Sequence, residues 1–168
     1  MNSGQQAYND FEWTKPGCLA AMTHSEVPWR YYLQTVVHFD IPACRGLVRP
    51  VDAGTGADDP PLGALHVLTA VQPGATADSA ESAARIDVPD HELRDRGLRT
   101  LPAVGASFDG TYREESRAVF GLDDEQAREL GRRFGQVAVS GWRDSSWSLI
   151  ACAGERETHR GWLWESRV

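Results

Sequence analysis

Two adjacent carboxylates, two histidines and a serine are the residues of this chain best suited to chemistry, and their spacing limits what they can do together. Glu114 and Glu115 precede a run that reads as a strand, where neighbouring side chains point to opposite faces, so the two cannot work as a pair on one substrate. Glu115 is the better candidate for a general acid or base. Ser116 follows it and Gln136 is expected on a neighbouring element, so a polar cluster at the sheet end is predicted, with His66 as an assisting group. The same cluster has a bland reading, in which backbone N–H groups and a Gln amide simply satisfy a buried Glu. His38 and His66 fall on strands expected to pair, with Asp40 nearby, but the spacing is unspecific and no metal site is assigned. Ser116 with either histidine lacks the G-x-S-x-G context of a nucleophile elbow. Gly54-Thr55-Gly56 and Gly63 match neither a dinucleotide fingerprint nor a phosphate loop, so no cofactor is expected.

The six tryptophans include Trp13, Trp29, Trp162 and Trp164 from the two ends of the chain. Brought together they would make the floor of a stacking pocket, a binding hot spot, or the seal of a small core. Gln72, Ser116, Gln136, Trp162 and Trp164 therefore form the candidate binding set.

These residues must be positioned by the elements around Glu115 to Trp142, the stretch that reads most clearly: strand, capped helix, strand. Asp123 and Gln126 have the spacing of a capping box, and Leu122 can staple onto Ala127. Ala127, Leu130 and Phe134 recur on one helical face, and Gly135 ends the helix. Upstream, alternation predicts a first strand over Trp29 to Asp40, a long Gly/Pro/Asp-rich loop over Ile41 to Ala64, and a buried second strand over Leu65 to Val71. A helix capped at Asp78 or Ser79 follows, kinked or restarted at Pro89, and then a Pro/Gly-containing connection over Leu101 to Gly110. Val137 to Trp142 and Trp147 to Ala153 read as a hairpin, and Gly161 to Trp164, after a charged segment, as a last short strand. The tally predicts an α+β fold: a two-layer sandwich, with a mostly antiparallel sheet and two main helices on one face. Residues 1–28 form an N-terminal arm whose Phe11 and Trp13 should dock on the core, and residues 29–168 a single domain with a mobile insertion near 49–64.

With 168 residues the chain is long enough for one self-sufficient core. A net charge of -7, with the arginines scattered, argues against nucleic acid as a partner. No apolar run reaches the ~18 residues of a membrane span, and the start has no leader pattern. Cys18, Cys44 and Cys152 are odd in number and lack any Cys-x-x-Cys, which points to reduced thiols and a cytoplasmic setting.

A Tyr-Tyr strand, L-T-A followed by a polar residue and Pro, an S-x-x-E-x-x-A-x-R helix, E-E-S, and F-G-Q-x-A-V-x-x-W occur in that order. This series resembles the bacterial domain-of-unknown-function family numbered 3293, over Tyr31 to about Trp164. Its anchors are Thr69-Ala70, Glu115-Ser116 and Phe134-Gly135-Gln136; Gln72-Pro73 and Ser82 stand where members usually have Asn-Pro and Asn. The resemblance implies a fold and leaves the reaction open. The expected function is a cytosolic binding module that recognises a small ligand or a protein partner, without nucleic acid or membrane. The alternative is a small enzyme of accessory metabolism that uses Glu115 as general acid or base. A titratable pair around one pocket would mark the enzyme, and an exposed apolar patch with a polar rim the binding module.

Overall fold

A computed structural model describes residues 3–167. Among them, eight strands close into an antiparallel barrel and five helices lie around it. The strands are β1 (Val36–Ile41), β2 (Cys44–Val51), β3 (Leu65–Thr69), β4 (Thr100–Ala106), β5 (Arg113–Val119), β6 (Ala138–Arg143), β7 (Ser146–Ala151) and β8 (Glu157–Ser166). The helices are α1 (Ser3–Asn9), α2 (Pro16–Thr23), α3 (Glu26–Leu33), α4 (Ala80–Asp95) and α5 (Asp124–Arg133). Around the barrel the order is β1-β2-β8-β7-β6-β3-β5-β4, and the β1–β4 pairing closes it. This overturns the expected two-layer sandwich: the sheet curls until its outermost strands pair, which leaves no open edge to cover.

Register and alternation fix which side chains fill the barrel. Val37 lies opposite Gly105, Gly105 opposite Glu114, Ser116 opposite Thr69, Val67 opposite Ser140, and Ser140 opposite Leu149. One end of the interior is plugged by Phe39, Val48, Trp142, Trp147 and Trp162, all buried, with Trp164 packed against them. Trp142 meets Trp162 edge-on at 4.8 Å and stacks on Trp164 at 6.0 Å. The plug explains Gly46: a Cβ there would lie 2.6 Å from the Trp164 ring and 2.5 Å from the Glu165 carbonyl, so only glycine lets the ring lie across β2.

The main helices cover the outside. Asp123 caps α5 and forms the full capping box with Gln126. Ala127, Leu130 and Phe134 are buried as their spacing predicts, against Leu68, Val119, Val139 and Ile150 on the outer barrel face and Val88 and Leu93 of α4. Phe11 and Trp13 dock on this layer, and the Arg85 guanidinium sits 4.9 Å over each ring.

Three stretches differ from the expectation. Tyr31 to Leu33 belongs to α3, because Trp29, Tyr32 and Leu33 recur at i, i+3, i+4 and pack together across the end of the barrel. The loop read over Ile41 to Ala64 contains β2, and the connection read over Leu101 to Gly110 contains β4. Both strands hold a proline, and each proline sits where one neighbour has run out. Pairing of β1 reaches Val48 on one side and Val104 on the other, so neither Pro50 nor Pro102 is asked for an N–H toward β1. Beyond β2, Gly56 bridges to Trp162 and the Ala57 N–H donates to the Trp162 carbonyl at 3.0 Å, so the middle of the 49–64 stretch lies against β8.

Candidate functional site

The barrel end opposite the tryptophan plug is hollow. A cavity of about 560 Å³ opens there, within the range that holds small organic ligands. Small interior side chains leave the space: Gly105, Ser116, Ala138 and Ser140 line it, while Val37, Val67 and Leu149 make its apolar walls and Trp147 lines it from the plug side. Helix α3 crosses the mouth. Its Trp29 is buried against Leu149 and Ala151 and donates from Nε1 to Thr158 Oγ1 at 2.9 Å, while Tyr31 and Tyr32 line the cavity.

Glu114, not Glu115, is the carboxylate in this cavity. The alternation that separates the neighbours turns Glu114 inward beside Gly105, where its side chain is partly buried and accepts a 2.7 Å hydrogen bond from Tyr112 Oη. Burial pushes the Glu114 carboxyl above its ordinary range, and the Tyr112 bond opposes this only in part. Burial, with Glu114 close by, also raises the Tyr32 and Tyr112 phenols. Glu115 points outward and is mostly exposed, 3.2 Å from Arg117 Nη1, while Arg117 Nε pairs at 3.0 Å with Asp90 of α4.

The remaining predicted residues divide. Ser116 lies in the cavity wall, buried, with its hydroxyl donating to the Glu114 carbonyl at 3.2 Å. Gln72 and Gln136 line the rim and brace it: both Nε2 groups donate to the Phe134 carbonyl, at 2.8 and 3.1 Å. Gln72 Oε1 accepts from the Thr14 N–H at 2.8 Å, which ties the N-terminal arm to the rim. His66 is on the outer face of β3, buried beneath the start of α5, with Nε2 2.8 Å from Asp124 Oδ1. Glu114 faces inward, and His66 lies opposite Val119, four residues along β5 from the outward Glu115, so it meets neither glutamate. His38 lies on β1, which does not pair with β3, so the two histidines do not meet; burial and the charges of Arg113 and Arg167 lower its pKa. Trp162 and Trp164 belong to the plug, where Trp162 Nε1 donates to the Asp144 carbonyl at 2.6 Å.

At the mouth the turn between β4 and β5 holds Asp109, whose carboxylate accepts from the Thr111 N–H, Thr111 Oγ1 and Ser107 Oγ. These donors, the Thr111 N–H above all, hold its pKa down at about 2. The large hydrophobic side chains that stay exposed among the described residues are Val27, Tyr31, Phe108 and Tyr112, all on α3 or on the β4–β5 connection. Tyr31 and Tyr112 line the cavity itself.

Among the described residues, no helix is long and apolar enough to cross a membrane. No curated protein and no solved structure matches the chain. Residues 68–139, which run from β3 into β6 and include Tyr112, Glu114, Ser116, Gln72 and Gln136, match the model of the family described as Protein of unknown function (DUF3293), and the resemblance anchored at Thr69-Ala70, Glu115-Ser116 and Phe134-Gly135-Gln136 is to that family.

Proposed function

We propose that this protein is a binding module for a small organic molecule, held inside the open end of the barrel. The observation that supports this most directly is the 560 Å³ cavity, apolar along its walls, with a few polar groups converging at Glu114. The exposed aromatic side chains at its mouth add to the reading, since a seated ligand would cover surface that otherwise faces water. A small ligand is favoured over a protein partner because the site is a concavity within one chain. The unpaired Cys18, Cys44 and Cys152 support a cytoplasmic setting. A second reading, a small enzyme, is favoured by one contact: Glu114 and Tyr112 are a titratable pair at 2.7 Å in one pocket, so Glu114 would be the general acid or base.

The test uses the neutral fluorophore N-phenyl-1-naphthylamine with the full chain. Saturable enhancement is expected, together with its loss in Ser140→Phe, which places a ring between Val67 and Leu149, and in Ala138→Leu, a milder filling of the same wall. Circular dichroism checks that each variant remains folded. Enhancement that does not saturate, or that persists in both folded variants, would refute the cavity as the site.

A further inference from the structure

We propose that the molecule held in the barrel is an organic cation: an amine or quaternary ammonium with an apolar body, its charged nitrogen at Glu114 and the body toward Leu149 and Trp147. This rests on the small-ligand reading and adds to it a charge and an orientation.

The first observation is the sign of the lining. Glu114 and Asp109 contribute carboxylates, and among the described residues that line the cavity there is no Lys, Arg or His. Arg113, next in sequence to Glu114, points away into the groove beside His38 on the outer surface. An anionic ligand would thus enter a cavity with acidic groups and no cation to neutralise it, at a desolvation cost nothing in the wall repays. A cation meets the opposite situation, since it supplies the counter-charge that the partly buried Glu114 lacks.

The second observation is the kind of surface around that carboxylate. Tyr32 and Tyr112 stand close to it in the cavity wall, Tyr31 lines the mouth, and Trp147 lines the plug side where the apolar body would lie. Ring faces attract ammonium groups, most strongly where water is excluded, and they bind a methylated nitrogen that cannot donate a hydrogen bond. The Tyr112 hydroxyl is committed to Glu114 Oε2, which orients the carboxylate, while Oε1 lies on the Gly105 side, 3.6 Å from where a Cβ of residue 105 would sit. Glycine at 105 keeps that approach to the carboxylate open. The exposed Asp109, held ionised by its turn, adds a fixed negative charge at the entrance that favours a cation on approach.

The experiment displaces N-phenyl-1-naphthylamine from the chain with benzyltrimethylammonium, benzyl alcohol and phenylacetate, which present similar rings with positive, neutral and negative groups. Benzyltrimethylammonium is expected to bind at least about tenfold more tightly than the other two. That preference should fall by about tenfold in Glu114→Gln, while the fluorophore itself still binds the variant. Tyr112→Phe, which leaves the carboxylate in place and removes the bond that orients it, should weaken the cation by a smaller factor. Displacement by phenylacetate as good as by the ammonium, or an ammonium preference unchanged in Glu114→Gln, overturns the cation assignment and leaves the cavity reading standing. Absence of fluorophore binding to the native chain overturns both.

Discussion

Phe134→Ala tests the contact that joins the outer layer, the N-terminal arm and the cavity rim. Phe134 is fully buried at the C-terminal end of α5. Its ring meets Tyr8 and Trp13 edge-on, at 5.9 and 5.4 Å. Truncating a buried Phe costs about 3–5 kcal/mol through lost transfer energy and an unfilled void. Each edge-to-face pair adds roughly 0.5–1.5 kcal/mol beyond area, so the loss should fall in the upper part of that range. For a domain of this size that is roughly 8–20 °C in melting temperature. Urea unfolding followed by circular dichroism measures it, with an unchanged m-value showing that stability and not the unfolded state has changed. The backbone carbonyl of Phe134, which accepts from both Gln72 and Gln136, is retained in the variant but loses the ring packing that fixes its position, so the rim should loosen and N-phenyl-1-naphthylamine bind more weakly even where the variant is folded. Tyr8 and Trp13 lose their common partner, and limited proteolysis should cut the segment before α2 earlier. A loss below about 1.5 kcal/mol with the arm still protected would refute the claim that one side chain joins these three parts.

Glu114→Gln should separate from the native chain as pH rises. The native carboxyl is raised above 4.5 by burial, so it is neutral in both states at low pH, and the unfolded chain ionises first as pH increases. Native stability is therefore lost as pH rises through the folded value, whereas the amide has no such penalty; the stability difference should grow in favour of the variant above about pH 4, and a flat difference across a urea series at stepped pH contradicts the burial of that carboxyl. Gly131→Ala would place a Cβ 2.1 Å from Cys152 Sγ, and should cost about 1–3 kcal/mol. Adding Cys152→Ala should restore part of that loss, and strict additivity in the double-mutant cycle would show that the two sites do not touch. The Cys152 thiol, pushed up to about 12 by burial, should resist an aromatic disulfide reagent at pH 8 in the native state while the exposed Cys18 reacts; prompt modification of Cys152 without denaturant would count against the packing of α5 on the barrel.

The segments with local signals were legible. The capping box at Asp123 and Gln126, the stripe Ala127, Leu130, Phe134 and the Trp142–Trp147 hairpin pair each depend on residues within one element or one turn, and all three are present. The barrel was not legible, because closure depends on the pairing of β1 with β4 across some sixty intervening residues, and both β2 and β4 carry prolines that read as breaks. Tyr31 to Leu33 misled in a different way: Tyr31-Tyr32-Leu33 fits an alternating pattern as well as a helical one over so short a run, and only the burial of Trp29, Tyr32 and Leu33 at the barrel end separates them. The site was half legible. Alternation required that a single glutamate face inward, but which one depended on the register of β5 against β4, a long-range fact that no local spacing contains.

The hollow end of the barrel is a choice of residues and not a consequence of closure. An eight-stranded barrel has an interior just wide enough for side chains to fill, and at the plugged end this chain fills it with tryptophan. At the other end, Gly105 has no positive φ that would require glycine, and a Cβ there would meet Glu114 Cγ at 3.4 Å and Ser116 Oγ at 3.6 Å, both within ordinary contact. Neither backbone conformation nor crowding excludes a side chain at that point. Gly46, by contrast, is imposed by the ring of Trp164. Two interior glycines in one barrel thus have opposite causes: one makes room for the chain's own core, and the other holds open a space beside an inward carboxylate that the core does not use. A sequence under pressure for stability alone would fill that space, since glycine within a strand costs about 0.5–1 kcal/mol relative to alanine and the void forgoes further packing. Small residues at 105, 116, 138 and 140, next to the inward Glu114, thus support the proposed occupant, because the fold alone does not require them.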